Sequence, residues 1–110
     1  MFKKKEIVLQ QTSTQQGTTT VTAKLTADGD LRIEGHDRTT KGKNLFGTSE
    51  YEWIIRVKAD HVSMLQAALN TNNEILPLLK SHFSGDKITT LKPFLEQHNI
   101  PFEFSNRIGD

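Results

Sequence analysis

Thr18-Thr19-Thr20-Val21-Thr22-Ala23-Lys24-Leu25-Thr26, then Asp28-Gly29, then Leu31-Arg32-Ile33-Glu34 is the stretch that decides the fold. In its first part Val21, Ala23 and Leu25 alternate with Thr20, Thr22, Lys24 and Thr26. A period of two sends the apolar side chains to one face of a strand and the polar ones to the other. Threonine is β-branched and suits a pleated, half-solvated surface. Asp28-Gly29 lies between two alternating runs and tolerates the positive φ angles of a tight hairpin turn. Beyond it, Leu31 and Ile33 point one way and Arg32, Glu34 and His36 the other, with Gly35 marking a strand end or a bulge.

Upstream of this hairpin, Lys4 to Gln11 holds Ile7, Val8 and Leu9 and reads as a strand, and the polar Thr12 to Gly17 as a turn. Downstream, Asp37 to Thr48 breaks the alternation with Gly42, Gly47 and scattered charge, and reads as a long loop with Leu45-Phe46 near its end. Alternation resumes at Glu50: Tyr51, Trp53, Ile55 and Val57 share one face, Glu52, Arg56 and Lys58 the other, and Ile54 interrupts the polar side.

The second half changes period. Asp60 is placed to cap a helix carrying Val62, Leu65 and Leu69. Thr71 and Glu74 have capping-box spacing. Ile75, Leu79 and Phe83 recur every four residues, with Pro77 in the first turn, where a missing N–H costs least. Gly85 suits a left-handed stop. A third helix is expected from Thr89 or Thr90, with Pro93 early in it and Leu91, Phe94 and Leu95 facing inward. Asn99-Ile100-Pro101 ends it, since Asn accepts the left-handed conformation and Pro cannot continue a helix. Phe102-Glu103-Phe104 alternates like a short final strand. Strands grouped before helices define an α+β domain over residues 1–110: a four-stranded antiparallel meander followed by two or three helices and a short C-terminal strand.

The 110 residues suffice for one core. Fourteen Lys and Arg against thirteen Asp and Glu leave a net charge of +1, which gives no global argument for nucleic acid or an acidic partner. The absence of cysteine excludes disulfides, thiolate nucleophiles and thiolate metal sites. Met1-Phe2-Lys3-Lys4-Lys5 starts like a signal peptide, but the apolar run ends at Leu9, so a strand with a basic lead-in and a cytoplasmic location are expected.

Several segments occur in an order that resembles a family of small bacterial proteins with no assigned activity. They are Asp28-Gly29-Asp30-Leu31-Arg32-Ile33-Glu34-Gly35-His36-Asp37, Glu50-Tyr51-Glu52-Trp53, a Val62-to-Leu69 helix, Leu78-Leu79-Lys80-Ser81-His82-Phe83-Ser84-Gly85-Asp86 and Phe94-Leu95-Glu96-Gln97-His98-Asn99-Ile100-Pro101-Phe102-Glu103-Phe104. The chain departs from that pattern after Asp37, where Arg38-Thr39-Thr40 replaces a Gly-Pro turn. The resemblance implies a bacterial origin and a single compact domain, and carries over no catalytic residue.

His36, His61, His82 and His98 lack the i, i+4 spacing of a helical zinc motif and are expected to face solvent or cap helices. Asp28 and Asp30 lack the rest of a calcium loop and are explained by the hairpin. Glu34, Glu50 and Glu52 fall on the polar sheet face, where cross-strand ion pairing with neighbours such as Arg56 and Lys58 is their expected role. Arg38-Thr39-Thr40-Lys41-Gly42-Lys43 lacks the glycine and Ser/Thr of a P-loop. No serine stands in a nucleophile elbow.

No catalytic, cofactor-binding or metal-binding residue is therefore expected. The expected function is a non-enzymatic protein-binding domain of the bacterial cytoplasm, by analogy a toxin-neutralising immunity protein. Its partner would dock on Arg38, Lys41, Lys43, Leu45 and Phe46. The alternative is a nucleic-acid-binding module using the basic loop 38–43 with Lys3, Lys4, Lys5 and Arg32. A third is an enzyme site assembled by a homo-oligomer.

Overall fold

The computed structural model describes residues 6–15, 17–44, 47–70 and 74–109, with side chains over 6–15, 17–38, 50–70 and 74–107. Five strands form one antiparallel sheet in chain order: β1 (Glu6–Thr14), β2 (Gly17–Leu25), β3 (Leu31–Asn44), β4 (Gly47–Val57) and β5 (Glu103–Gly109). Three helices, α1 (Ala59–Ala68), α2 (Ile75–Phe83) and α3 (Leu91–Gln97), lie between β4 and β5, with a 3₁₀ segment, Gly85–Thr90, joining the last two. The chain is an α+β strand meander whose final strand returns beside β4 after the helical excursion. That strand pairs from Arg56↔Glu103 to Glu50↔Gly109 and is a full member of the sheet.

Residues directly opposite in an antiparallel ladder share a face. One face carries the rows Leu25–Leu31–Val57, Ala23–Ile33–Ile55–Phe104 and Val21–Gly35–Trp53–Asn106. Leu31, Ile33, Ala23 and Val57 are completely buried there, against Leu65, Leu79, Leu91 and Leu95 from the helices. Each buried Val, Leu or Ile contributes roughly 1.5–3 kcal/mol, so this one face collects the helix layer. Burial fades along β4 away from that centre, from Val57 and Ile55 to the half-buried Trp53 and Tyr51.

Of the loop expected over Asp37 to Thr48, residues 37–44 instead continue β3 and residues 47–48 belong to β4. Arg38 pairs with Glu50, Thr39 with Ser49 and Asn44 with Gly47, across a register shift. Main-chain hydrogen bonds hold such a ribbon without an apolar face, so no alternation appears in its sequence. Leu45 and Phe46 lie outside the described residues. Gly35 is neither a strand end nor a bulge, because the ladder passes through it unbroken on both sides. A Cβ there would fall 2.0 Å from Trp53 Cε2, so the indole lies directly on the β3 backbone and glycine supplies the space.

The β2–β3 hairpin forms where Asp28-Gly29 places it, but as a three-residue loop. Thr26 N–H donates to Asp30 O and Gly29 N–H to Thr26 O, both at 2.9 Å, and Gly29 takes φ +89°. This is a turn closed by a left-handed glycine, not a two-residue turn. Asp30 follows it and is 8% exposed. Its Oδ2 accepts from Arg56 Nε at 3.1 Å and Nη2 at 2.7 Å, and its Oδ1 accepts from Ala59 N–H at 2.9 Å. The cap of α1 therefore comes from across the fold. Asp60 sits in the first turn and Lys58 occupies the N-cap position without a side-chain bond. Glu74 likewise stands at the N-cap of α2, not at the third helical position a capping box requires; Thr71 lies outside the described residues. Helix ends follow the expected chemistry: Gly85 and Asn99 take φ +61° and +56°, and Ile100 N–H reaches Leu95 O at 2.9 Å.

The Arg56 hydrogen bond first, and then the Ala59 N–H, hold the Asp30 carboxyl below its ordinary 3.8, against the opposing effect of burial. A carboxyl depressed in the folded state stabilises above its unfolded pKa, and that stability is lost as pH falls through the folded value. Asp30→Asn should lower Tm near neutral pH on the order of 10 °C. It should also flatten the acid limb of a Tm-against-pH profile below 3.8. Equal acid slopes in both proteins would show that Asp30 does not carry this linkage.

Candidate functional site

Two surfaces flank the centre of the sheet, back to back. The first is the outer face, opposite the helices, where alternation puts Glu34, His36 and Arg38 of β3 beside Glu50, Glu52 and Ile54 of β4 and Ser105 and Arg107 of β5. His36 Nε2 approaches Glu50 Oε1 at 3.3 Å and Glu52 Oε2 at 3.8 Å. Arg38 Nη2 donates to Glu50 Oε2 at 3.0 Å, Arg107 Nη2 to Glu52 Oε1, and Arg32 and Lys24 both pair with Glu34. The hydrogen bond from His36, followed by the Arg38 charge, holds the Glu50 carboxyl below the ordinary glutamate range. A groove of about 560 Å³ runs along this face, lined by Arg32, Glu34, His36, Glu52, Ile54 and Arg107.

Cross-strand ion pairing of Glu34, Glu50 and Glu52 is thus present, but with Lys24, Arg38 and Arg107 as partners, while Arg32 meets Glu34 along β3 itself. Arg56 turns instead to Asp30, with Glu103 at 4.0 Å. Of the docking residues expected from sequence, Arg38 is exposed and already paired with Glu50. Lys41 and Lys43 belong to β3, not to a loop, and Leu45 and Phe46 lie outside the described residues. The basic segment 38–43 is a strand whose described cation is neutralised, and Arg32 is neutralised too. Lys3, Lys4 and Lys5 lie outside the described residues. Among the other histidines, His82 and His98 are exposed, and His98 stacks on Phe94 at 4.2 Å between centroids.

The second surface is on the helix side, where the helix layer gives out. A concavity of about 340 Å³ opens there, lined by Val21, Tyr51, Trp53, Ile88, Lys92 and Phe104, with Asp37 at its edge. Phe104 is 40% exposed, unusual for a large apolar ring in a sheet row that is otherwise buried. Lys92 Nζ stands 4.1 Å from the Phe104 ring centroid, a cation–π contact that joins α3 to β5. Asn106 Nδ2 donates to Tyr51 Oη at 3.2 Å. His36 and Asp37, adjacent in sequence, fall on opposite surfaces because strand side chains alternate.

Sequence reasoning did place Tyr51 and Trp53 on the apolar face. It missed that Phe104 and Lys92 join them, because that depends on β5 docking beside β4, which no local pattern encodes. It put His36, Glu50 and Glu52 on the polar side of their strands but did not join them, because their contact depends on the β3–β4 register. No family model, curated protein or solved structure matches this chain. Among the described residues no helix is long and apolar enough to cross a membrane.

The chain's lone tryptophan makes the Gly35–Trp53 contact measurable. Gly35→Ala should push the indole off β3, red-shifting its fluorescence emission and lowering Tm by at least several degrees. An unchanged spectrum would show that the ring does not rest on that backbone.

Proposed function

We propose that this chain is a non-enzymatic protein-binding domain that receives its partner at the helix-side concavity around Tyr51, Trp53 and Phe104. The observation that carries this reading is the exposure of Phe104 in a hollow where Tyr51, Trp53, Val21 and Ile88 stand among polar neighbours such as Thr19 and Thr89. Tyrosine, tryptophan and phenylalanine gathered at a partly dry surface are the side chains that dominate protein–protein binding energy. A hollow of this size accommodates one or two apolar side chains from a partner. Lys92 and Asp37 on its margin supply one charge of each sign for orientation.

The hollow is framed by β4, β5 and the start of α3, elements already fixed by the core, so the surface is ordered before the partner arrives and little entropy is lost in shaping it. Steric occlusion of another protein's working site, as in toxin neutralisation, is the narrower form of the same proposal. It rests on analogy with other small bacterial domains.

The test is affinity capture from the native cell with wild-type protein and with Phe104→Ser, whose retained fold is checked by circular dichroism. A specific protein held by wild type and weakened about 30-fold by the substitution supports the reading, since a central aromatic contributes on the order of 2 kcal/mol. A partner bound equally by both proteins would move the interface elsewhere. Recovery of no specific protein would count against protein binding altogether.

A further inference from the structure

The outer face also brings one imidazole and two carboxylates together at a single point. One donor atom from each of His36, Glu50 and Glu52 lies within 4.8 Å of the other two, and His36 Nε2 stands 3.3 Å from Glu50 Oε1 and 3.8 Å from Glu52 Oε2. A first-row divalent ion bound to imidazole and carboxylate at about 2.0–2.2 Å sets neighbouring donor atoms roughly 3–3.5 Å apart. The two separations from the imidazole, 3.3 and 3.8 Å, are therefore close to those between neighbouring donors in a coordination shell.

The backbone explains why they meet. Glu50 and Glu52 are two residues apart on β4 and share a face, and His36 is the direct cross-strand partner of Glu52. Each glutamate is anchored through its other oxygen. Arg38 holds Glu50 Oε2 and Arg107 holds Glu52 Oε1, so the two remaining oxygens are the ones presented to the imidazole. Hydrogen bonds of this kind to the outer oxygens orient carboxylate ligands in metal sites. His36, Glu52 and Arg107 also line the 560 Å³ groove, so the cluster borders it. Two carboxylates and two arginines leave the cluster without net charge, so attraction for a cation comes from ligation by preset donors and not from a negative field.

We propose that His36, Glu50 and Glu52 form a site for a divalent first-row transition ion such as zinc, with three protein ligands and an open coordination position facing the groove. Three protein ligands with a vacant position is the arrangement that lets a metal take water or a donor atom of a further molecule. The ion would be held through His36 Nε2 and one oxygen of each glutamate, while Arg38 and Arg107 act as positioning residues. The inference stands apart from the protein-binding surface, which lies on the other side of the sheet.

The test is calorimetric titration of chelator-stripped protein with zinc chloride alone near neutral pH, alongside NMR of the histidine imidazoles. The expected result is one zinc per chain, with the His36 ring resonances shifting and those of His61, His82 and His98 staying in place. His36→Gln and Glu50→Gln should each weaken uptake by more than about 10-fold, and Arg107→Gln by about 10-fold through loss of orientation. His98→Gln should leave uptake unchanged. Circular dichroism of each unliganded variant checks that the sheet persists. Failure of the folded wild-type protein to bind zinc overturns the proposal and leaves an ion-pair network. Uptake that survives His36→Gln, or that disappears in His98→Gln, overturns it as well.

Discussion

One buried carboxylate fastens together the three parts of this fold that the chain must bring into register. Asp30 stands just after the β2–β3 turn, takes two hydrogen bonds from Arg56 near the end of β4, and caps α1 through Ala59 N–H. Its own N–H is bonded to Thr26 Oγ1 at 3.1 Å, so the turn that carries it is also tied down. A buried acid is tolerated only when its lone pairs are occupied, and here both oxygens are engaged. The consequence is directional. The helical segment can leave β4 only along the line that brings Ala59 to Asp30, and that line lays α1 on the face of Leu31, Ile33 and Val57. Removing Arg56 would leave Asp30 Oδ2 short of partners in a mostly buried position, whereas Arg56 itself is half exposed and would turn to water.

With the helices committed to one face, the other is left to solvent, and its composition follows. Threonines of β2 and the charged residues of β3, β4 and β5 occupy it in alternating rows, each carboxylate opposite or diagonal to a cation. Exposed pairs of this type contribute little individually. Their collective effect is to keep a broad sheet face from pairing with unrelated apolar surfaces, while fixing the directions of His36, Glu50 and Glu52. The helix-side surface is the complement: where the helix layer stops short, the apolar rows continue outward as Tyr51, Trp53 and Phe104, and a hollow remains.

The parts of the fold legible in sequence are those with a local cause. Alternation in β2 and β4, the left-handed stops at Gly85 and Asn99, the early prolines of α2 and α3 and the presence of a hairpin at Asp28-Gly29 are set by neighbouring residues and appear in the structure. The misreadings share a different cause. Asp60 is a better capping residue than Lys58, yet a side chain 29 positions before Ala59 performs the task. Gly35 looks like a strand terminator until the indole of Trp53, from another strand, is placed on it. Residues 37–44 lack alternation, yet they continue β3, because main-chain pairing does not require an apolar face. The candidate sites are legible to the same degree: strand parity puts His36, Glu50 and Glu52 on one side, but only the cross-strand register makes them neighbours. Phe104 meets Lys92 only because a strand after three helices returns to the sheet.

Strand β4 serves both surfaces, and this makes register the decisive variable. Tyr51, Glu52 and Trp53 are consecutive, with the middle one facing the groove and the outer two facing the hollow. A slip of one residue between β3 and β4 would exchange every side chain between the faces, placing glutamates against the helix layer and aromatic rings in the charged ladder. Two features oppose that slip at separate points. The Arg56–Asp30–Ala59 connection fixes one end of the strand pair, and the indole of Trp53 fits only where β3 has no Cβ, which is at Gly35. Both are absolute in position, unlike the hydrophobic rows, which tolerate shifts of two residues with parity preserved. The pairing of His36 with Glu52, and of Gly35 with Trp53, is then a single geometric fact seen from opposite sides of the sheet. The groove and the hollow depend on it equally.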